Sequence, residues 1–246
     1  MTPGDSPGDS IGAWLCQAGQ VLRAAAIDQP RMEARWLLGH AMGATAETLL
    51  RDPRAAVPAD AAARFTAMLA RRARREPMAY ITGQTGFWGL DLAVSPATLI
   101  PRADSEVLVE AALEHAPHAK RVLDLGTGTG CLLLAVLSGL PAATGVGIDI
   151  NPAAAALARR NARALGLPAC FLAGDWGMAL SGGFDLVLAN PPYIEAAAIA
   201  ALVPEVGMYE PVAALDGGAD GLGAYRAILA DLPRLLAPGG IAVLGL

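Results

Sequence analysis

Cysteine and histidine are both scarce in this chain of 246 residues, with three of each. The cysteines have no CxxC spacing, and no cysteine and histidine are spaced like the ligands of a zinc site. An odd number of cysteines without such spacing argues against a disulfide framework and against structural zinc. We therefore expect no bound metal.

Long apolar runs and a targeting signal are also missing. Although 54% of the residues are hydrophobic, no uninterrupted run reaches the roughly 18 to 20 apolar residues that a membrane-spanning helix needs. The N-terminal sequence MTPGDSPGDS lacks the basic and apolar regions of a signal peptide. These absences predict a disordered lead at residues 1–10 and a cytoplasmic protein without membrane contact.

Positive charge is in the minority and is distributed unevenly. The net charge is −5, yet residues 1–100 hold ten arginines against nine acidic residues. The arginine cluster RRARRE at 71–76 is typical of a solvated helix face, and the alternative is a docking patch for an acidic partner or RNA. Duplex DNA binding normally needs a broader basic surface, so we expect no direct contact with nucleic acid.

Three regions follow one another along the chain. Apolar residues recur with helical spacing over residues 11–76, which predicts a small helical bundle. Residues 77–98 contain short β-type runs separated by glycines, as in a β-hairpin linker. Over residues 99–246, continuous apolar strands alternate with helices, a pattern typical of a doubly wound parallel sheet. The predicted fold class is therefore α/β with a helical N-terminal domain.

A glycine-rich turn follows the first strand of the alternating region. The sequence DLGTGTGC at 124–131 precedes a helix, and its spacing is G-x-G-x-G. Glycines permit a tight turn and a close approach of the backbone to a ligand at the helix N-terminus. We expect five residues of this turn to contact a cofactor: Gly126, Thr127, Gly128, Thr129 and Gly130.

Acidic residues end the next two strands. Asp149 lies 19 residues after Gly130 and can accept hydrogen bonds from both hydroxyls of a ribose. The alternative role for Asp149 is to cap the helix that begins near Asn151. Asp175 and Trp176 end the third strand, where a carboxylate and an aromatic ring suit the amine and the ring of adenine. Such a site fits both NAD and S-adenosylmethionine, but none of the histidines lies at a predicted strand end, as hydride transfer would favour.

The fourth strand ends in the sequence Asn-Pro-Pro-Tyr. An amide or aromatic amine is a poor nucleophile because its nitrogen lone pair is delocalised. The side-chain oxygen of Asn190 and the carbonyl of Pro191 can each accept one N–H of a substrate –NH2 group, which orients the lone pair toward a methyl donor. Pro191 and Pro192 stiffen the backbone and bring no competing N–H, and the ring of Tyr193 can cover the substrate. This predicts a methyltransferase without a strong general base, in which Asn190, Pro191 and Tyr193 are catalytic.

Together these motifs resemble the class I, Rossmann-like methyltransferases that use S-adenosylmethionine, among which [DNS]-P-P-[YFW] marks the methylation of amino groups, including adenine in DNA. The sequences YITGQTGFWGLDLAV, LIPRADSEVLV and PEVGMYEPVAALDGGADGLGAYR are similar to those of the peptide chain release factor N5-glutamine methyltransferases, the PrmC or HemK family. The similarity extends over residues 30–246.

The resemblance implies a substrate, a cofactor and a partner. The methyl donor is expected to be S-adenosyl-L-methionine, the product S-adenosyl-L-homocysteine, and the acceptor the glutamine of the Gly-Gly-Gln loop of a release factor. The resemblance also implies that Asn190 contacts the cofactor, that residues 190–193 bind the glutamine, and that the helical domain at 11–76 binds the release factor. We expect a monomer.

Two stretches depart from the family pattern. The family sequence PRPETE is PRADSE here, which keeps Pro101, Arg102 and Glu106; we expect this stretch to close over the cofactor and Arg102 to bind substrate. The chain stops at AVLGL, where family members continue, so we expect a methyltransferase domain at 99–246 that lacks its C-terminal strands.

Two alternative functions remain open. One is the methylation of another amide or amine, such as a ribosomal protein glutamine or adenine in DNA. The other is a truncated form that binds a release factor without catalysis.

Overall fold

The structure is a computed structural model that describes residues 9–245. The predicted disordered lead therefore lies outside the described residues, except for Asp9 and Ser10. The chain divides into two compact units, and the boundary between Thr82 and Gly83 lies inside the predicted linker.

The first unit is a bundle of helices. Ser10 caps the first helix, because its side-chain oxygen accepts a hydrogen bond from the Ala13 N–H at 3.3 Å. Gly43 ends the second helix in the left-handed conformation, with φ of +62°. The bundle buries a core of its own that includes Leu22, Leu37 and Phe65, and this confirms the predicted helical region. The helices are α1 (Ile11–Ala24), α2 (Pro30–Met42), α3 (Ala46–Arg51), α4 (Ala59–Ala73) and α5 (Met78–Thr82).

Helix α5 was not predicted, since it lies in residues 77–98, for which the sequence predicts β-type runs and a hairpin. The carbonyl of Pro77 instead accepts hydrogen bonds from the N–H groups of Tyr80 and Ile81, each at 3.1 Å. A proline has no N–H to lose at the start of a helix, so it is compatible with a helical turn that follows it.

The arginine cluster at 71–76 differs from the expected solvated face. Arg72 is buried, and its guanidinium binds the carboxylate of Glu33 on α2 at 2.5 Å. Arg71 binds Glu76, and Arg75 donates to the carbonyl of Ala26. The cluster therefore fastens the C-terminal end of α4 to the rest of the bundle.

The second unit begins with a hairpin and continues as a parallel α/β sheet. Strands β1 (Gln84–Phe87) and β2 (Leu90–Ala93) are antiparallel and are joined by Trp88 and Gly89, both with positive φ, as a type I′ turn requires. The sheet strands are β3 (Arg121–Leu125), β4 (Thr144–Asp149), β5 (Ala169–Ala173), β6 (Phe184–Ala189) and β7 (Leu236–Leu244). The helices are α6 (Glu106–His115), α7 (Cys131–Gly139), α8 (Pro152–Leu165), α9 (Pro204–Gly207) and α10 (Gly223–Leu235).

The sheet has the order β5-β4-β3-β6-β7, and all neighbouring strands are parallel. This confirms the predicted α/β class. The chain builds outward from β3 in one direction to β5 and then continues with β6 on the other side of β3. Ligands of such sheets bind at the carboxyl ends of the strands beside this change of direction, which here are β3 and β6.

The apolar run at 240–246, after the Pro-Gly-Gly sequence, predicts a strand, but β7 begins four residues earlier, at Leu236. Its pairing with β6 shifts register between Phe184, which lies opposite Leu236, and Leu186, which lies opposite Ile241. Gly239, with φ of +80°, lies in this irregular stretch. The Pro-Gly-Gly sequence therefore forms a bulge inside the strand and does not end it.

Candidate active site

A cavity of about 440 Å³ lies at the carboxyl ends of the sheet strands. Its walls are the ends of β3, β4 and β6, the residues that follow β5, and two loop segments at 97–105 and 211–224. This volume is within the range of small-molecule binding sites. Over residues 9–245, none of the helices has both the length and the hydrophobicity of a membrane span. Among the same residues, no group of three or more His, Cys, Asp or Glu side chains is arranged to hold a metal.

Residues 126–129 of the glycine-rich turn form one wall of this cavity. The predicted contact residue Gly130 is not part of the wall and packs against Ala158, Leu134 and Phe171. Gly126, Gly128 and Gly130 have φ of +73°, +55° and +83°, a region that favours glycine. The N–H groups of Gly126 and Thr127 both donate to the carbonyl of Ile148 at 2.9 Å, which fastens the turn to the end of β4. The first N–H groups of α7 have no intrahelical acceptor and follow directly after the turn. The Leu133 N–H is directed at the carboxylate of Asp124, and the N–H groups before it can serve a ligand with negative charge.

Asp149 lies at the end of β4 and lines the cavity. One carboxylate oxygen accepts from the Gly128 N–H at 2.8 Å, and the other accepts from the Asn151 N–H at 2.9 Å. The side chain of Asn151, and not that of Asp149, caps α8 by accepting from the Ala153 N–H. A carboxylate oxygen can accept more than one hydrogen bond, so both oxygens of Asp149 can still bind hydroxyl groups. Burial raises the pKa of Asp149, against the effect of these two backbone hydrogen bonds.

Asp124 is a site residue that was not predicted from the sequence. It is the penultimate residue of β3, lines the cavity and is only 1% exposed. Its carboxylate accepts a hydrogen bond from the Thr127 hydroxyl at 2.6 Å. Burial raises the pKa of Asp124 to about 7, and the neighbouring charge of Asp149 adds to this rise. The available signal was an acidic residue near the end of an apolar strand, two residues before the first glycine of the turn.

Trp176 and Asp175 lie at another wall of the cavity. Trp176 has φ of +42°, a conformation that is rare for a bulky residue and is often retained at functional sites. Its indole ring lies against the glycine-rich turn, since a Cβ on Gly126 would meet a ring carbon at 3.4 Å. Asp175 is exposed at the rim.

Asn190, Pro191 and Pro192 follow β6 and line the same cavity. The side-chain N–H of Asn190 donates to the Ser105 hydroxyl at 3.2 Å, which leaves its amide oxygen as an acceptor. Tyr193 is not part of the cavity wall, and its side chain is half exposed at 51%. The structure thus brings three residues of the motif to the glycine-rich turn and leaves the tyrosine ring outside.

Arg102 lines the cavity, but its guanidinium is paired with the carboxylate of Glu210. The side chain of Glu210 is 1% exposed, whereas that of Arg102 is 41% exposed. Glu210 also accepts from the Ile100 N–H at 3.3 Å. No sequence pattern indicated a role for Glu210, which fastens residues 100–102 to the loop before Pro211.

Asn161 is a second residue that was missed. It lies on α8, is buried, and binds the backbone of Ala93 through both ends of its amide, at 2.9 and 3.0 Å. Its N–H also donates to the carbonyl of Thr129 at 2.9 Å. Asn161 therefore connects the hairpin to the glycine-rich turn. A single asparagine within a helical pattern gives no sequence signal for this role.

Comparisons with known proteins agree with this geometry. Residues 13–83 match the family model of the PrmC N-terminal domain, and residues 102–210 match that of the methyltransferase small domain. Among solved structures, the hMettl16 catalytic domain bound to a MAT2A 3′UTR hairpin has a TM-score of 0.51 at 16% identity, over 72% of this chain and 64% of that chain. This likeness concerns the fold alone. The fold and the site define a methyltransferase.

The relatives are more specific. The release factor glutamine methyltransferase of Rhodospirillum rubrum is 51% identical over 235 residues, which is 94% of this chain and 72% of that protein. The protein of the same name from Caulobacter vibrioides is 46% identical over 94% of this chain and 81% of its own length. The chain belongs to the release factor glutamine methyltransferase family, which confirms the resemblance found in its motifs.

Proposed function

We propose that this chain transfers a methyl group to the side-chain amide nitrogen of a glutamine in the Gly-Gly-Gln loop of a peptide chain release factor. The observation that carries the proposal is the shared cavity of Asn190, Pro191 and Pro192 with the glycine-rich turn and Asp149. Acceptors for an –NH2 group thus lie beside a site for a nucleoside-containing cofactor. The names of the relatives support glutamine as the methylated residue.

The residues of the cavity fit S-adenosylmethionine. The carboxylate of Asp149 suits the ribose hydroxyls, and Trp176 with Asp175 suits adenine. The turn from Gly126 to Gly130, together with the first N–H groups of α7, suits the amino-acid end of the cofactor, because these N–H groups favour a carboxylate. When bound, this cofactor supplies an electrophilic methyl group on a sulfonium and leaves as S-adenosylhomocysteine.

Asn190 and Pro191 orient the substrate nitrogen. The amide oxygen of Asn190 and the carbonyl of Pro191 each accept one N–H of the glutamine side chain. Because Ser105 accepts the N–H of Asn190, the asparagine presents an acceptor, and not a donor, to the incoming –NH2. Holding both N–H groups turns the nitrogen lone pair toward the methyl group and lowers the barrier through orientation.

Two further residues complete the substrate site. The exposed ring of Tyr193 covers the glutamine amide and stabilises its developing positive charge through the ring face. Arg102, half exposed while bound to Glu210, contacts the backbone of the substrate loop. No general base is needed, since an alkylated amide nitrogen loses its proton readily to water, and no histidine lines the described cavity.

The helical unit binds the release factor in this proposal, and the chain acts as a monomer without nucleic acid. Because release factors work on ribosomes, the enzyme acts in the cytoplasm. Light scattering of the purified protein measures the mass directly, and a dimer contradicts the monomer.

The test is transfer of a labelled methyl group from S-adenosylmethionine to purified release factor. Label is expected on the wild-type factor and absent from a factor whose loop glutamine is replaced by alanine. Label that persists on the replaced factor, or that goes instead to plasmid DNA or ribosomal proteins, contradicts the proposal.

A further inference from the structure

The backbone directly after Tyr193 is held by a glycine-rich segment, residues 215–223. The Ile194 N–H donates to the carbonyl of Leu215 at 3.0 Å, and the Gly217 N–H donates to the carbonyl of Ile194 at 2.8 Å. The Ala196 N–H donates to the carbonyl of Gly218 at 2.9 Å. The first two bonds form a parallel β-bridge between Ile194 and Asp216, and the third follows it, so the path of the chain beyond the Asn-Pro-Pro-Tyr motif depends on this segment.

Two glycines of the segment press directly against Tyr193. A Cβ on Gly221 would collide with the carbonyl oxygen of Tyr193, and a Cβ on Gly217 would lie 2.8 Å from the Tyr193 Cα. Gly221 is buried and has φ of +72°, which also favours glycine. Only the absence of side chains at these two positions lets the two backbones approach this closely.

The segment is itself held in shape. The Gly223 N–H donates to the carbonyl of Gly217 at 3.0 Å and closes the turn. The carboxylate of Asp220 accepts from the Leu222 N–H at 3.1 Å and pairs with Arg226 on α10. The backbone of Tyr193 thus rests on a braced turn, while its ring is half exposed. A residue whose backbone is held in place while its ring is exposed can close over a substrate.

We propose that residues 215–223 position Tyr193 for the amide substrate, and that Gly221 is a positioning residue of the methyl transfer. This inference rests on the proposed function, since it concerns the substrate side of that same site. Gly221 is not itself part of the cavity wall, although Asp216, Gly217, Gly218 and Gly223 of the same segment are, so its effect on the substrate through Tyr193 has to be measured beside the affinity for the cofactor. The glycines of the segment then have a specific role. They set the distance between the ring of Tyr193 and the acceptor oxygens of Asn190 and Pro191.

The experiment compares Gly221→Ala with Gly166→Ala. Gly166 ends α8 with φ of +66° and has no atom within 4 Å of a Cβ placed there. The two variants therefore share the cost of a left-handed alanine, whereas only Gly221→Ala displaces Tyr193. We expect Gly221→Ala to lower kcat/KM for the release factor about 10- to 100-fold relative to Gly166→Ala, as a small misplacement of a substrate-positioning group does. The affinity for S-adenosylhomocysteine, measured by calorimetry, should be unchanged.

A double-variant cycle separates positioning from general damage. If Gly221 acts through the ring, adding Gly221→Ala to Tyr193→Ala causes no further loss of kcat/KM, because the two changes remove the same interaction. A full additional loss, equal kcat/KM in the two glycine variants, or a loss of cofactor affinity in step with activity overturns the inference. If Gly221→Ala does not fold, Asp220→Ala loosens the same turn, and its smaller loss of kcat/KM must also vanish in the Tyr193→Ala background.

Hydrogen exchange supplies a readout that does not depend on the substrate. The amides of Ile194 and Gly217 should exchange faster in Gly221→Ala than in Gly166→Ala, because their mutual ladder is disturbed. If the wild-type enzyme transfers no labelled methyl group to the release factor, the proposed function is wrong. Unchanged exchange at both amides is a failure of the positioning segment, whichever substrate is methylated.

Discussion

Asn190 is the single residue on which the proposed chemistry depends most directly. Its amide oxygen is available as an acceptor because Ser105 accepts the amide N–H. We expect Asn190→Ala to lower kcat about 100- to 1000-fold, as the loss of one group that stabilises a transition state typically does. Methyl transfer measured at saturating cofactor gives kcat, and calorimetry with S-adenosylhomocysteine should find most of the cofactor affinity kept. A variant that keeps wild-type kcat would remove Asn190 from the mechanism.

Asp124 makes the stability of the protein depend on pH. Burial raises its pKa to about 7 in the folded state, against about 3.9 in an unfolded chain. The folded protein therefore keeps Asp124 protonated to a higher pH than the unfolded chain does. The contribution of this protonation to the free energy of unfolding is fully present below about pH 4 and is lost as the pH rises through about 7.

The replacement Asp124→Asn removes this titration and retains the size of the side chain. We expect the free energy of unfolding of the variant to rise relative to that of the wild type between pH 4 and pH 8, by about 1.4 kcal/mol for each unit of pKa difference. The melting temperature of the variant should rise relative to that of the wild type in the same direction. Calorimetric melting of both proteins across this range measures the gain. A difference in melting temperature that is the same at both ends of the range contradicts the assignment.

Residues with a role at a strand end were easier to predict than residues that act across the fold. Asn190 and Asp149 follow apolar strands, and parallel strands bring their carboxyl ends to one edge. Ser105 and Glu210 act through partners that are 85 and 108 residues away in the chain. No local pattern marks such a pairing, because it exists only once the loops at 97–105 and 211–224 have folded around the cavity.

At the scale of elements, helices α2 and α4 are joined by a buried ion pair. Arg72 and Glu33 have side chains only 8% and 14% exposed. Glu33→Ala leaves the arginine charge without its carboxylate, and breaking a buried pair in this way costs about 3–5 kcal/mol. Glu47→Ala is the matched control, since its partner Arg51 and Glu47 itself are 75% and 81% exposed, and such pairs contribute about 0–1 kcal/mol.

Denaturant unfolding followed by helical circular dichroism measures both changes. The variant Glu33→Ala should lower the free energy of unfolding of the helical unit well beyond Glu47→Ala. If the two variants have equal effects, the arginine cluster does not stabilise the bundle, and the sequence-based prediction of a solvated helix face is correct.

Elements made of one continuous apolar run were predicted correctly, whereas elements whose bounds lie at a proline were not. Helix α7 and strand β6 follow from continuous apolar runs of helix and strand length. The start of β7 was misplaced, because Pro-Gly-Gly signals a turn in the sequence while the pairing of Leu236 with Phe184 extends the strand before it. Helix α5 was missed because a proline that ends one helix also starts the next turn.

For the whole molecule, each unit has its own buried core, and the proposed cofactor residues all belong to the second unit. A ligand that binds only the folded state stabilises it by about 2.7 kcal/mol at 100 times its Kd. S-adenosylhomocysteine should therefore raise the free energy of unfolding of the second unit by this amount in the wild type. It should do so in Asn190→Ala as well, since we expect that variant to keep most of its affinity.

Asp149→Ala tests the cofactor side of the same site. It removes the carboxylate that suits the ribose and that accepts from Gly128 and Asn151, so the gain in stability with S-adenosylhomocysteine should fall at the same ligand concentration. For each protein we compare the increase in stability that the ligand causes, and not the absolute stability, because Asp149→Ala also loses two hydrogen bonds in the absence of ligand. Thermal unfolding with and without ligand, on wild type, Asn190→Ala and Asp149→Ala, separates the two halves of the cavity. A full gain in Asp149→Ala together with none in Asn190→Ala would reverse the proposed assignment of cofactor and substrate residues.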